Sequence, residues 1–403
     1  MPAESGLKQG IAIVTSLMDS LRKEAREAPE SGIVAVFNHG RQKQGLIPLW
    51  AGEGDLATPS FIHEAATLGL ENGETFYTWQ RGIPELRQAL ADYHHKVYGK
   101  GWSAEHFFVT GSGMQAIQLA VQATAGSGDE VIVPSPVWPN ITAALGIMGA
   151  KPVEVAFDFS PNGWSLDLDK VEAAVSERTK AIFINSPANP TGWMAGLEEL
   201  RDILALARRH NLWIIADEVY ARFVYEGNRA PSFCDVADSD DRVLYVNSFS
   251  KNWAMTGWRV GWITAPPQLG QTIENLIQYS TSGVAGFMQR GAVAALENGE
   301  EFMQMQIEKA RKNRDVLYNA MMGTGRVKCA RPQGAFYLYF AVEGEEDTMA
   351  LALRMVDQAG VGLAPGVAFG PGGQSFMRAC FLRDPDHIRD AAARLVEFLQ
   401  TRQ

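Results

Sequence analysis

Cysteine is scarce in this 403-residue chain: Cys234, Cys329 and Cys380 are odd in number, far apart and outside any CxxC spacing. That argues against a disulfide framework and a zinc site, fits a reducing compartment, and leads us to expect no metal. An excess of positive charge is also lacking. The 36 Lys+Arg stand against 46 Asp+Glu, and the net charge of −10 argues against a nucleic-acid partner held by phosphate neutralisation. Long apolar runs are missing too. Two uncharged stretches, 107–128 and 131–150, are interrupted by Gly111, Gly113 and three glutamines, and by Pro134, Pro136 and Pro139. A membrane helix would hardly tolerate either pattern, so no membrane contact is expected. The opening MPAESGLKQG has no basic run leading into an apolar one and no small-residue cleavage site. No secretory signal is therefore expected, and the location expected is cytoplasmic.

What the chain has is apolar content of 46%, enough at this length for two or three domain cores without staples. Its middle repeats one theme: a short Val/Ile-rich run, a Gly/Pro/Asn punctuation, then a helical pattern. Such alternation predicts a mostly parallel sheet covered by helices. Candidate strands are 107–110, 131–133, 153–155, 181–185, 213–216, 243–247 and 260–264; candidate helices include 114–124, 197–210 and 268–279. From about residue 300 the texture changes to a long charged helix (300–321) and short strands near 327 and at 335–340, which reads as a second, α+β unit. The segment up to Trp50 holds no complete set of elements and is expected to pack on another unit.

Four strand ends carry distinctive polar groups. Lys251, bracketed by Ser248 and Ser250 and followed by Trp253, follows a predicted buried strand. A lysine in such surroundings changes pKa readily, and Schiff-base chemistry needs the neutral amine; a structural role is the alternative. Asp217, in Asp-Glu-Val-Tyr (217–220), emerges where open α/β sheets bind ligands, although it would also serve as a helix N-cap. The turn Thr-Gly-Ser-Gly-Met-Gln (110–115) leads from strand to helix and offers free N–H groups to an anion, or is simply a tight glycine turn. Asn-Ser-Pro-Ala-Asn-Pro-Thr-Gly (185–192) is either site or punctuation. Chance explains four together poorly.

These motifs occur in one order with Pro-Gln-Gly-Ala-Phe-Tyr (332–337), Pro-Gly-Val-Ala-Phe-Gly (365–370), Arg378, Tyr77 and Gly-Ile-Pro-Glu-Leu-Arg (82–87). In that order the chain resembles the fold-type I, pyridoxal-phosphate-dependent class I/II aminotransferases over nearly its whole length. The resemblance implies a large α/β domain with a mostly parallel seven-stranded sheet between helices. It also implies a smaller α+β domain built from both chain ends, with 1–55 and 296–403 in the small domain and 56–295 in the large one.

By the same resemblance the cofactor is pyridoxal 5'-phosphate, and the activity is ping-pong transfer of an amino group from an L-α-amino acid to a 2-oxo acid. Lys251 would hold the cofactor as a Schiff base and then shuttle a proton. Asp217 would pair with the pyridine nitrogen, Tyr220 and Asn189 would bond the phenolic oxygen, and Trp138 would stack on the ring. The backbone of Ser112, Gly113 and Met114, with Ser248 and Arg259, would cradle the phosphate. Tyr77 would reach the phosphate of a neighbouring subunit, which implies a homodimer with active sites at the interface. Arg378 would take the substrate α-carboxylate with help from Asn189 and the backbone near Gly52; read without the resemblance, an arginine with such apolar flanks is an unusual buried charge in need of an anion.

For a second substrate carboxylate no cation stands out. Arg81 and Arg290 are candidates, while the aromatic Tyr77, Trp79 and Trp253 would equally suit apolar or aromatic amino acids. A lyase or oxidase using the same site is the alternative within the enzyme class. An aminotransferase-like sensor domain of a transcription regulator is disfavoured, because residues 50–55 already match the catalytic fold and the charge is wrong for DNA.

Overall fold

The computed structural model describes residues 17–401; the opening segment read above for a targeting signal lies outside them. The central sheet is built from β1 (Phe107–Thr110), β2 (Glu130–Ser135), β3 (Lys151–Ala156), β4 (Thr179–Asn185), β5 (Trp213–Asp217), β6 (Val243–Ser248) and β7 (Gly261–Thr264). Their spatial order is β1-β7-β6-β5-β4-β2-β3, and β7 alone runs antiparallel to its neighbours. Successive residues feed opposite faces. Val131, Val133 and Ile215 pack into one core, Ile132, Ile214 and Ala216 into the other, so both faces are covered. The edge strand β3 is largely accessible, as its Lys/Glu-bearing sequence suggests.

Helix Leu197–His210 shows how the covering layer is specified. Leu200, Ile203, Leu204 and Ala207 form its buried stripe, Glu198 and Glu199 sit in its first turn, and Arg208, Arg209 and His210 sit in its last. Asn211 in the left-handed conformation ends it.

The second unit joins the helices Glu300–Gly323 and Pro385–Gln400 to an antiparallel sheet of β8 (Val327–Cys329), β9 (Tyr337–Val342), β10 (Ala364–Pro365) and β11 (Phe376–Cys380), ordered β8-β9-β11-β10. The N-terminal segment joins it: Ile47 and Pro48 pair in parallel with Val361 and Gly362, and helix Gly32–Gly40 packs on helix Thr348–Arg354. The strand read at 335–340 begins later, at Tyr337. Ala335 is left-handed (φ 56°), which interrupts the extended run, while Phe340–Val342 still pair across to β8.

Helix Pro84–Tyr98 carries an unusual buried group. His94 stacks on Tyr98 at 4.9 Å and packs against Phe107 at 4.9 Å, and neither ring nitrogen has a hydrogen-bond partner among the described residues. Burial pushes its pKa from 6.5 down to about 3. The unfolded chain binds a proton there below 6.5 and the native one does not until about 3, so stability falls as pH drops through that window and is unaffected above it. At pH 5 the cost is about 2 kcal/mol. His94→Phe is expected to lose less melting temperature between pH 7 and pH 5 than the wild type. An equal loss in both would show that His94 does not carry the effect.

Candidate active site

A cavity of about 310 Å³ opens beyond the carboxyl ends of β4, β5 and β6, closed from above by the N-terminal segment and by Tyr337 and Arg378 of the small sheet. Lys251 enters it from the short helix Phe249–Asn252 that follows β6. Ser248 caps this helix, accepting the Ser250 N–H at 3.1 Å and donating to the Ser250 hydroxyl at 2.9 Å. Lys251 Nζ donates to the Gly52 carbonyl at 2.7 Å. A Cβ at Gly52 would stand 2.5 Å from Tyr337 Oη, so glycine lets the N-terminal segment come this close. Burial lowers the Lys251 pKa to about 8, and the nearby Arg378 and Arg259 charges add to the effect.

Asp217 ends β5. Register places it opposite Asn185 of β4, whose amide donates to the Asp217 carbonyl at 3.1 Å and accepts the Asn189 N–H at 2.8 Å. The Asp217 carboxylate accepts one hydrogen bond, from the Val219 N–H at 3.3 Å, and burial raises its pKa to about 7. Tyr220 Oη lies 2.8 Å from Tyr337 Oη, and burial holds its pKa well above the ordinary phenol value.

Arg378, on β11, is buried. It donates to Asn189 Oδ1 at 2.9 Å and to the Trp50 carbonyl, and its guanidinium lies 4.6 Å from the Tyr337 ring centroid. Its Nε has no partner, and no carboxylate pairs with it among the described residues. A buried cation left this way calls for an external anion.

At the other end of the cavity, helix Gly113–Thr124 starts at the glycine turn. Ser112 accepts the Gln115 N–H at 3.0 Å and holds φ at 148°, a conformation a serine keeps only under constraint. The N–H groups of Gly113 and Met114 have no acceptor among the described residues, and Arg259, itself left-handed at φ 56°, lines the same end. β7 passes so close that a Cβ on Gly261 would stand 2.6 Å from Gly113 N; only glycine fits there.

The structure thus gathers Gly52, Gly113, Met114, Trp138, Asn189, Asp217, Tyr220, Ser248, Lys251, Arg259 and Arg378 around one cavity. Ser112, which precedes Gly113, is buried and not among the lining residues, and Tyr77 lies outside the cavity, 92% exposed. Trp253 does not reach it either: it is core, packed on Phe249 and Tyr93. Arg81 is bound to Glu274 (2.6 Å) and Glu105 (3.1 Å), and Arg290 to Glu74 (2.9 Å) and Glu85 (3.0 Å), so neither faces the cavity as a free cation. Sequence reasoning gave no individual role to Tyr337, which touches Tyr220 and Arg378 and sits over Gly52. It also missed Ser31 and Ile33, which the N-terminal segment brings to the wall.

A buried lysine with lowered basicity, a buried strand-end aspartate and two anion-seeking cations on this two-unit α/β fold define an enzyme of the aminotransferase class. The chain belongs to the aminotransferase class I and II family, whose model matches residues 45–395. It is 37% identical to an aspartate aminotransferase of Thermotoga maritima over 362 residues, covering 90% of this chain and 93% of that one. Among solved structures, Thermus thermophilus aspartate aminotransferase (a single mutant) superposes with a TM-score of 0.87 at 34% identity, covering 94% of this chain and 99% of the other. An alanine aminotransferase from Pyrococcus furiosus gives 0.89 at 28% identity, covering 95% and 100%. The protein is an aminotransferase, in a family that generally depends on pyridoxal phosphate.

Proposed function

We propose that this chain is a pyridoxal-phosphate-dependent transaminase of the cytoplasm. It would move an amino group from an L-α-amino acid to a 2-oxo acid in two half-reactions at one site. The carrying observation is the set of unpaired charges in a single cavity: among the described residues Asp217 makes no ion pair and Arg378 has no anion, and the pKa of Lys251 is drawn to about 8.

The residues fit the cofactor at both ends. The free N–H groups of Gly113 and Met114, with Arg259 and Ser248, suit a phosphate, and Asp217 suits a protonated ring nitrogen. Bound there, pyridoxal phosphate supplies a carbonyl that condenses with amines and a ring that accepts the electron pair left when a substrate Cα loses its proton. Trp138, Asn189 and Tyr220 line the same cavity and would border the ring. Arg378 would orient the substrate through its α-carboxylate, and Lys251, once free of the cofactor, would carry the proton from the substrate Cα to the cofactor's C4′.

The deciding experiment adds one L-amino acid to the cofactor-loaded protein without any oxo acid. We expect one equivalent of 2-oxo acid per site and no ammonia. Continued ammonia release would mean a lyase, and oxygen uptake an oxidase. The absence of any bound chromophore after adding pyridoxal phosphate would overturn the reading altogether.

We also propose a homodimer, with Tyr77 reaching the phosphate site of the partner subunit. Phe76, Tyr77 and Tyr279 are all more than four-fifths exposed, which is costly for large aromatic rings left in water. Sedimentation is expected to give twice the chain mass; a single-chain mass at micromolar concentration would sink this assembly.

A further inference from the structure

We infer that the site takes amino acids with one carboxylate and an apolar side chain, and discriminates against a second carboxylate. The inference rests on the aminotransferase reading of the same cavity. Four charged residues line that cavity among the described residues: Asp217, Lys251, Arg259 and Arg378. Each is committed, to the ring nitrogen, the cofactor carbonyl, the phosphate and the α-carboxylate respectively. The wall left for a substrate side chain includes Ser31, Ile33, Met114, Ile117, Trp138 and Asn140. None of these bears a charge, and the Asn140 amide is turned toward Met114 Sδ at 3.6 Å. The two arginines nearest in sequence logic, Arg81 and Arg290, are each held by two carboxylates of their own chain.

A β- or γ-carboxylate entering this wall would shed water with no free cation among the described residues of this chain to replace it, which is strongly unfavourable. Methyl, methylene or ring groups would instead gain by burial against Ile33, Ile117 and Trp138. Ile33 is the informative position, because helix Gly32–Gly40 brings it from the N-terminal segment while no cofactor contact is assigned to it.

The test measures binding of unreactive substrate analogues to the cofactor-loaded protein by calorimetry. The probes are isocaproate and hydrocinnamate, with one carboxylate and an apolar tail, and succinate, with two carboxylates. Isocaproate or hydrocinnamate is expected to bind at least about tenfold more tightly than succinate; equal or tighter binding of succinate overturns the inference. In parallel, single-turnover rates are compared for L-leucine, L-phenylalanine and L-aspartate. If none of these and no other common L-amino acid converts, the aminotransferase reading itself fails. If L-aspartate converts fastest, only the present inference falls. Ile33→Lys is expected to shift the succinate-to-isocaproate affinity ratio by about tenfold toward succinate. An unchanged ratio in a variant with normal cofactor absorbance would remove Ile33 from the specificity wall. If that variant loses the cofactor, the wild-type comparison decides.

Discussion

Lys251→Ala is expected to lower turnover by about 10⁴-fold or more and to abolish the visible absorbance that a cofactor held covalently on this lysine would give the protein. On the proposed reading two functions would be lost together: the amine that would hold the cofactor and the base that would move the substrate proton. The structure shows why this lysine suits both. At pH 8 an ordinary lysine with a pKa near 10.5 is only about 0.3% neutral, whereas Lys251, lowered to about 8, is about half neutral. Burial supplies that difference, and the bond to the Gly52 carbonyl fixes where the amine points. Capture of added pyridoxal phosphate by the cofactor-free protein is therefore expected to speed up as pH rises through about 8 and to level off above it. Lys251→Arg separates charge from nucleophilicity. Arginine keeps the cation but is never neutral in this range, so it is expected to be as inactive as alanine. Substantial turnover in either variant would remove Lys251 from the reaction.

The sheet and the strand-end groups were legible because they leave marks in the sequence. Strands buried on both faces read as short Val/Ile runs, and the polar residue that ends each run marks the crevice. The antiparallel direction of β7 left no mark, since Gly261–Thr264 is buried on both faces and would read the same either way. Trp138 and Trp253 are both tryptophans following strands, yet only Trp138 lines the cavity, because the turn after β6 sends Trp253 back against Phe249. Tyr337 sits in an apolar strand and looks like core until Arg378 and Gly52 are seen beside it. Ile33 lies in a helix of nearly uniform apolar character, with no stripe to separate core from cavity. The fates of Arg81 and Arg290 depend mainly on partners far off in the chain, Glu274 and Glu74, so no local pattern could reveal that both were already paired.

Asp217→Asn is expected to reduce kcat by about 10³-fold, equivalent to ~4 kcal/mol of transition-state stabilisation, while leaving the cofactor bound. The amide matches the carboxylate in shape and can still accept the Val219 N–H, so packing at the end of β5 is preserved. What disappears is the negative charge. In the folded chain that charge is held in an unfavourable place: burial has already pushed the Asp217 pKa up to about 7, and Lys251 is the one cation that offsets it. A protonated ring nitrogen placed against it would satisfy the carboxylate, and in return the carboxylate would keep the nitrogen protonated and electron-withdrawing while the substrate Cα gives up its proton. Neither Lys251 nor the turn proposed to hold the phosphate depends on Asp217, so visible absorbance is expected to remain and KM to change far less than kcat. Asp217→Glu restores the charge on a longer arm. The Asn185 amide anchors the backbone carbonyl of residue 217, not its side chain, so the extra methylene displaces the carboxylate and activity is expected to fall between wild type and Asp217→Asn. An asparagine variant within about tenfold of wild-type kcat would show that the ring nitrogen is not protonated during turnover, and would remove the charge pair from the mechanism.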